Sequence, residues 1–238
     1  MMRIQPIRYG VKYVAPVVPS PVLSWRMDES SGAVIDYSGN GYNGRVDGSP
    51  TRAVSVYGGN SGVRLVSRGQ GISIDKASCP LALAALQSQT CTISMVFEGS
   101  TSGVANPCPF IIWNSASGGF STLRLGNISP AYANWSSSSS IQNYGSIQGI
   151  TGSGLKIITY VRTPTQGRLY ADGVLVATKA HSAGVFVATA SADRIQVGGH
   201  LNFPGSYQYA GRASDLNIWN TELSADEIAT LASQNGRY

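Results

Sequence analysis

The sequence predicts an all-β protein, an antiparallel sandwich of two sheets with one short C-terminal helix and an extended N-terminal arm. Three observations support this: short segments alternate apolar and polar residues, turn residues recur about every 8–12 residues, and a single strong helix signal lies near the C-terminus. A chain of 238 residues fits one sandwich domain. We assign residues 1–22 to the arm and residues 23–238 to the domain.

Residues 211–236 carry the clearest local signals, a strand followed at once by a helix. Leu216 and Ile218 alternate with polar or aromatic residues, which is the period of a strand with one buried face. Ser224 and Glu227 form a capping box that starts a helix of about ten residues, and an Asn-Gly pair ends it. We expect the neighbouring Trp219 to pack against this helix or the opposite sheet.

Other elements follow from alternation and turn chemistry. Asp172-Gly173 predicts a tight hairpin within residues 167–177, and the serine run 136–140 is interpreted as a loop. The remaining predicted elements are a short helix at Leu81–Leu86 and strands at Val22–Met27, Arg45–Val46, Gly62–Val66, Ile72–Asp75, Thr92–Glu98, Phe110–Asn114, Phe120–Leu125, Leu155–Arg162 and Asp193–Val197.

Three stretches resemble laminin G-like domains of the concanavalin A-like jelly-roll class. They are IWNTELSADEIATL at residues 218–231, the opening strand and glycine turn at 23–46, and the late hairpin at 169–177. The resemblance implies a jelly-roll sandwich, and among relatives it implies glycan binding, a calcium ion at the rim or, less often, glycan hydrolysis. The family often has an acidic pair at the start of the last strand, whereas this chain has Ser214-Asp215.

Composition limits the functional classes. Charged residues make up only 12% of the chain, and the net charge of +5 is scattered, which argues against nucleic acid as the main partner. The cysteines Cys79, Cys91 and Cys108 lack metal-ligand spacing and are expected to be reduced, partly buried thiols. Neither a signal peptide nor an apolar membrane span is recognisable, so we expect folding in a reducing cytoplasm.

The arm contains four prolines, which confine it to extended conformations. Its basic and aromatic residues are candidates for partner docking: Arg3, Arg8, Tyr9, Lys12 and Tyr13. A docking strand on a neighbouring subunit is one interpretation, and a solvated or self-packed tail and a nucleic-acid contact are the alternatives.

The run from Gly39 to Gly44 matches G-x-G-x-x-G, but no helix pattern follows it. A dinucleotide site needs the N-terminus of that helix to bind the pyrophosphate. We therefore interpret the run as tight turns, tied to the backbone by the side chains of Asp36 and Asn43.

The sequence offers no clear catalytic site, and we expect a non-enzymatic protein. Glycan hydrolysis on a strand needs carboxylates at alternate positions, and Glu98 has no acidic neighbour two or four residues away. His181 and His200 are each more simply surface loop histidines than catalytic bases.

Binding sites are suggested by aromatic and acidic residues. Trp113, Trp135 and Tyr144, each near an Asn, are candidates for stacking on a sugar, although a tryptophan in a sandwich is more often part of the core. Asp36 is the candidate calcium ligand and Asp47 a further one. No other cofactor is expected.

These observations favour a non-catalytic virion structural protein, a capsid decoration or tail-associated protein of a bacteriophage that docks through the arm on other virion proteins or on itself. Low charge, odd cysteines and the lack of an export signal support this. The first alternative is a glycan-binding adhesin or receptor-binding module that contacts cell-surface glycans, and extracellular localisation would accompany it. The second is a glycoside hydrolase.

Overall fold

A computed structural model describes the backbone of most of the chain. The described residues are 16–98, 108–113, 122–129, 132–139, 142–143, 147–150, 154–180, 193–199 and 208–238.

Sixteen strands and two α-helices occur within these residues. The helices are α1, Pro80–Gln87, and α2, Ala225–Ser233. The strands are β1 Leu23–Trp25, β2 Arg45–Asp47, β3 Thr51–Ser55, β4 Ser61–Leu65, β5 Gly71–Asp75, β6 Cys91–Phe97, β7 Phe110–Trp113, β8 Thr122–Ser129, β9 Tyr132–Ser139, β10 Gln142–Asn143, β11 Ile147–Ile150, β12 Lys156–Arg162, β13 Gln166–Ala171, β14 Val174–Ala180, β15 Arg194–Val197 and β16 Gly211–Trp219.

The strands form two antiparallel sheets. The first has the order β14-β13-β12-β6-β16-β4-β3, with β1 paired to β16, and the second has the order β10-β9-β8-β7-β15-β5-β2, with β11 paired to β9. Neighbours in both sheets are often distant in sequence, as in β6 and β16. This architecture confirms the predicted all-β, jelly-roll-like sandwich.

The main core lies between the sheets and contains the apolar residues that alternate along the central strands. Ile93, Met95 and Phe97 of β6 and Leu216 and Ile218 of β16 all belong to it. The predicted buried face of Leu216 and Ile218 is therefore correct, and Ile93, Met95 and Phe97 share a buried face in the same way, since alternate side chains point to the same face.

The end of the chain folds as its local sequence predicts. The Ser224 side chain accepts a hydrogen bond from the Glu227 N–H, and the Glu227 carboxylate accepts one from the Ser224 N–H at 2.7 Å. Asn235 and Gly236 have φ of 59° and 79°, which ends the helix in the left-handed conformation. Trp219 packs against Ile228 in a second apolar cluster, on the outer face of the first sheet.

Residues 16–22, which the sequence places in the arm, pack on this outer face. Val18 is buried in the second cluster together with Tyr170 of β13. The Trp219 indole N–H donates to the Pro19 carbonyl at 2.7 Å, and the Val22 N–H donates to the Ile218 carbonyl at 2.7 Å. This part of the arm thus contributes to the folded unit of its own chain.

The interpretation of the serine run 136–140 as a loop is wrong for Ser136–Ser139, which lie in β9. β9 pairs with β8 on one side and with β10 and β11 on the other. Serines give no apolar alternation, so the neighbouring strands define this strand through backbone hydrogen bonds.

Candidate functional site

The candidate site begins where β5 and β15 end side by side in the second sheet. Arg194 lies directly opposite Asp75 in the pairing of these strands. The Lys76 N–H donates to the Asp193 carbonyl at 2.6 Å, so the backbone hydrogen bonding between the two segments continues one residue beyond the end of β5. These bonds bring together two segments that are more than a hundred residues apart.

A surface pocket of about 720 Å³ opens at this point. It is lined by residues at the ends of β5 and β15, and Pro80, the first residue of α1, contributes an apolar part of the lining. The lining residues are Asp75, Lys76, Ala77, Pro80, Asp193 and Arg194.

Ion pairs hold the charged side chains of the pocket in place. The Arg194 Nε donates to Asp75 Oδ1 at 2.6 Å, and the Arg45 guanidinium lies 3.7 Å from Asp75 Oδ2. The Asp75 side chain is 47% exposed, so part of the carboxylate still faces solvent. The pair presents a fixed guanidinium and a fixed carboxylate in the lining of the pocket.

A second set of contacts extends this network along the sheet. Arg45 Nε donates to Asp47 Oδ1 at 2.8 Å, and the Ser73 hydroxyl donates to Asp47 Oδ2 at 2.5 Å. The hydrogen bond that Arg45 donates to Asp47 and the negative charge of Asp47 raise the pKa of the Arg45 guanidinium above its ordinary value. The carboxylate of Asp47, a weaker calcium candidate, is therefore engaged by protein donors.

Such a pocket is suited to binding a small polar molecule. Oriented donors and acceptors fix hydroxyl or acidic groups of a ligand, and an apolar wall contacts its carbon-bound surface. Lys76 is exposed and has no ion-pair partner among the described residues, so its ammonium group is available to an acidic ligand.

Two of the predicted sugar-binding residues lie in the second sheet. Trp113 is the last residue of β7 and is directly opposite Arg194, which lines the pocket. Trp135 lies in β9 opposite Leu125, and Leu125 lies opposite Phe110. The register thus brings Trp113, but not Trp135, next to Arg194.

The remaining binding and docking candidates fall outside the described residues. These are Tyr144, the histidines His181 and His200, and the arm residues Arg3, Arg8, Tyr9, Lys12 and Tyr13.

Asp36 organises a turn. Its Oδ1 accepts from the Ser24 N–H at 2.9 Å and the Ser38 N–H at 3.0 Å. Its Oδ2 accepts from the Ser38 hydroxyl at 2.7 Å and the Tyr42 N–H at 2.9 Å. The Asn43 side chain accepts from the Asp36 N–H at 2.9 Å, which confirms the predicted ties of both side chains to the backbone. Protein donors thus engage both oxygens of the candidate calcium ligand.

Glu98 also has a structural partner. Its carboxylate accepts from the Arg212 N–H at 2.7 Å and from the Arg212 guanidinium at 2.8 Å.

Cys79 and Cys91 are buried thiols, and burial raises the pKa of Cys79 to about 12. No cluster of three or more His, Cys, Asp or Glu side chains suited to a metal occurs in the part of the chain that the structure describes.

Sequence reasoning missed Asp75, Lys76 and Arg194 as site residues, although it predicted the strand that ends at Asp75 and the strand that contains Arg194. The available signal was a charged residue at the end of two predicted strands, Ile72–Asp75 and Asp193–Val197. That signal is weak because strand ends are commonly charged, and only the pairing of β5 with β15 places the two charges together.

Several solved structures resemble this chain. The carbohydrate-binding module CBM40 of a Ruminococcus gnavus sialidase, solved with α2,3-sialyllactose, is 18% identical with a TM-score of 0.57 over 71% of this chain and 95% of the module. The botulinum neurotoxin serotype C1 binding domain is 14% identical with a TM-score of 0.63, and the serotype D binding domain is 16% identical with a TM-score of 0.62.

The two toxin alignments cover 92% and 91% of this chain but only 52% and 51% of the toxin domains, so the chain spans about half their length. At these identities the likeness shows the fold alone. A search of curated proteins found no significant match.

A family profile gives the more specific result. It matches residues 69–229, well over half of the chain, and it describes the concanavalin A-like lectin/glucanases superfamily. The match includes β5, β15 and the pocket between their ends, and it agrees with the two-sheet antiparallel architecture. The chain belongs to the concanavalin A-like lectin/glucanases superfamily.

Proposed function

We propose that this protein is a glycan-binding module and that the pocket at the ends of β5 and β15 is its binding site. The observation that carries the proposal is the fixed pair of Arg194 and Asp75 beside the apolar wall of Pro80. Guanidinium and carboxylate groups bond to sugar hydroxyls in defined directions, while the apolar wall contacts the carbon-bound face of the ring.

The comparisons support this function rather than the virion role. The CBM40 structure contains sialyllactose, and another similar structure is a botulinum neurotoxin binding domain in complex with rat synaptotagmin II. Membership of a lectin/glucanase superfamily is consistent with carbohydrate as the ligand. The virion structural role, with docking through the arm, stays a prediction.

We further propose binding without catalysis. Glycan hydrolysis requires an acid and a second carboxylate placed on either side of the scissile bond. Asp75 faces two guanidinium groups, which favours a role in holding a ligand over a role as proton donor.

The direct test is titration of the purified protein with lactose and with α2,3-sialyllactose by calorimetry or NMR. We expect saturable binding that is weakened about tenfold or more in Asp75→Asn and Arg194→Ala, because each removes one half of the fixed pair. Arg64→Ala is the matched control, since Arg64 is an exposed arginine of β4 in the other sheet.

Lys76→Ala tests whether the pocket distinguishes the acidic sugar sialyllactose from neutral lactose. Loss of its ammonium group should weaken sialyllactose and leave lactose unchanged if the pocket binds the acidic sugar through charge. Trp113→Ala tests the neighbouring aromatic position.

Equal affinity in the wild-type, Asp75→Asn and Arg194→Ala proteins, or no binding across a broad glycan array, would refute the proposal.

A further inference from the structure

The chain contains three Asn-Gly pairs, Asn40-Gly41, Asn43-Gly44 and Asn235-Gly236. Asparagine is a chemically labile residue, and it is most labile before glycine, which has no side chain to keep its backbone nitrogen away from the asparagine amide. Deamidation requires that this nitrogen is free of hydrogen bonds and that the asparagine side chain can turn toward it. The surroundings of each glycine therefore decide which pair reacts.

The fold protects two of the pairs. The Gly44 N–H donates to the Val34 carbonyl at 2.8 Å, and the Gly236 N–H donates to the Leu231 carbonyl at 3.0 Å. Both glycines are also closely packed, since a Cβ atom added to Gly44 or Gly236 would lie 2.6 Å or 2.9 Å, respectively, from the nearest side chain. In both pairs the nitrogen that would have to attack is already engaged.

The pair Asn40-Gly41 has different surroundings. Both residues are exposed, in the turn between β1 and β2. The Gly41 N–H donates no hydrogen bond within the described part of the chain, and a Cβ atom added to Gly41 would meet no atom within 4 Å. The Asn40 side-chain amide donates to the Val22 carbonyl at 3.0 Å and to the Ser38 hydroxyl at 3.2 Å. Water can replace these exposed bonds, so the side chain can turn toward Gly41 without breaking a buried contact.

We propose that Asn40 is a site of spontaneous deamidation and that it reacts before Asn43 and Asn235. The Gly41 nitrogen loses its proton to hydroxide and attacks Asn40 Cγ. An N–Cγ bond forms, the Cγ–Nδ2 bond breaks, and the amide nitrogen leaves as ammonia with a proton taken from water. Water then opens the cyclic imide at either of its carbonyl carbons, which leaves aspartate or isoaspartate in place of Asn40. Water is consumed, ammonia is released, and no group is oxidised or reduced.

The reaction changes how this turn holds the start of the domain. A carboxylate has no N–H to donate, so the bonds of Asn40 to Val22 and Ser38 are lost, and a negative charge faces the Val22 carbonyl. Val22 directly precedes β1 and joins it to residues 16–21, which pack on the outer face of the first sheet. Deamidation therefore weakens the attachment of residues 16–22. The pocket has no lining residue from this turn, so this effect is separate from glycan binding.

The test is prolonged warm incubation of the full chain at mildly alkaline pH, followed by peptide mapping with mass spectrometry. We expect Asn40 to deamidate about tenfold or more faster than Asn43 and Asn235, since loss of one protecting hydrogen bond corresponds to about this factor. The same chain unfolded in urea is the control, and there the three pairs should react at similar rates. Asn40→Gln should abolish the modification at this position, because the longer side chain closes the ring poorly.

Two variants test the structural consequence. Asn40→Asp should lower the unfolding temperature more than Asn43→Asp. Both add one negative charge to the same turn, but the Asn43 side chain accepts its bond from the Asp36 N–H, which a carboxylate can still accept. An unmodified Asn40 in folded protein after the unfolded chain has reacted, or equal rates at the three pairs in the folded protein, would overturn the proposed site. Equal unfolding temperatures of the two variants would overturn the proposed effect on Val22.

Discussion

Asp215 is a buried carboxylate that we expect to lower the stability of this protein at neutral pH. It is 2% exposed and lies at a bulge in β16, with φ of 52°. The Arg237 Nε donates to its Oδ1 at 3.1 Å, while Oδ2 has no partner at normal hydrogen-bond geometry among the described residues. Burial is the main cause that raises its pKa from 3.8 to about 6, against the opposing effect of Ser214 and Arg237.

The sign of the effect follows from this shift. Since the folded-state pKa is raised, the folded state holds the proton more tightly than the unfolded state between pH 3.8 and about 6. The stabilisation that the bound proton of Asp215 provides is complete below pH 3.8 and is lost as the pH rises through about 6. At about 1.4 kcal/mol per pKa unit, the ionised carboxylate costs of the order of 3 kcal/mol above this range.

Asp215→Asn should therefore stabilise the protein at neutral pH. Asparagine is similar in shape to the protonated acid and is tolerated in the left-handed backbone region. The gain should be about 3 kcal/mol near pH 7.5 and about 0.5 kcal/mol near pH 4. For a chain of this size, the larger gain corresponds to about 6–12 °C in unfolding temperature.

The assay is thermal unfolding of both proteins at the two pH values, followed by circular dichroism. Arg237 also lies 3.1 Å from Asp28, so its guanidinium keeps a partner in the variant. Asp226→Asn serves as a control, because Asp226 is exposed and should show no such gain. A variant no more stable than wild type near pH 7.5, or an equal gain at both pH values, would refute the reasoning.

Three further predictions concern stability and can be checked by the same unfolding assay. Tyr209→Phe should cost about 1–3 kcal/mol, because its buried hydroxyl lies 2.9 and 2.7 Å from the carbonyl oxygens of residues 98 and 212, either of which can accept its one hydrogen. Tyr170→Phe is the control and should cost less, since no hydrogen bond of its hydroxyl is seen within the described residues. Ser224→Ala should cost about 1 kcal/mol through loss of the capping box, and an unchanged unfolding temperature would contradict this role. Removal of residues 1–22 should cost about 2–4 kcal/mol more than removal of residues 1–15, because it exposes the second cluster and leaves the Trp219 N–H without its partner. Equal stability of the two truncated proteins would show that residues 16–22 contribute nothing.

The sequence by itself determined the elements that depend on neighbouring residues. The capping box at Ser224, the left-handed stop at Asn235-Gly236 and the hairpin turn at Asp172-Gly173 are local, and Asp172 and Gly173 have the positive φ that the turn requires. The buried face of Leu216 and Ile218 in β16 was predictable for the same reason, since alternation along one strand identifies the residues that share a face.

Only the tertiary structure decided the candidate site. Asp75 and Arg194 are ordinary residues at strand ends until β5 pairs with β15, and this pairing is a long-range contact that no local pattern encodes. The same holds for the serines of β9, which are in a strand because β8 and β10 pair with them. Local propensity and capping depend on residues a few positions apart, whereas sheet order and the placement of charges depend on which distant segments pack together.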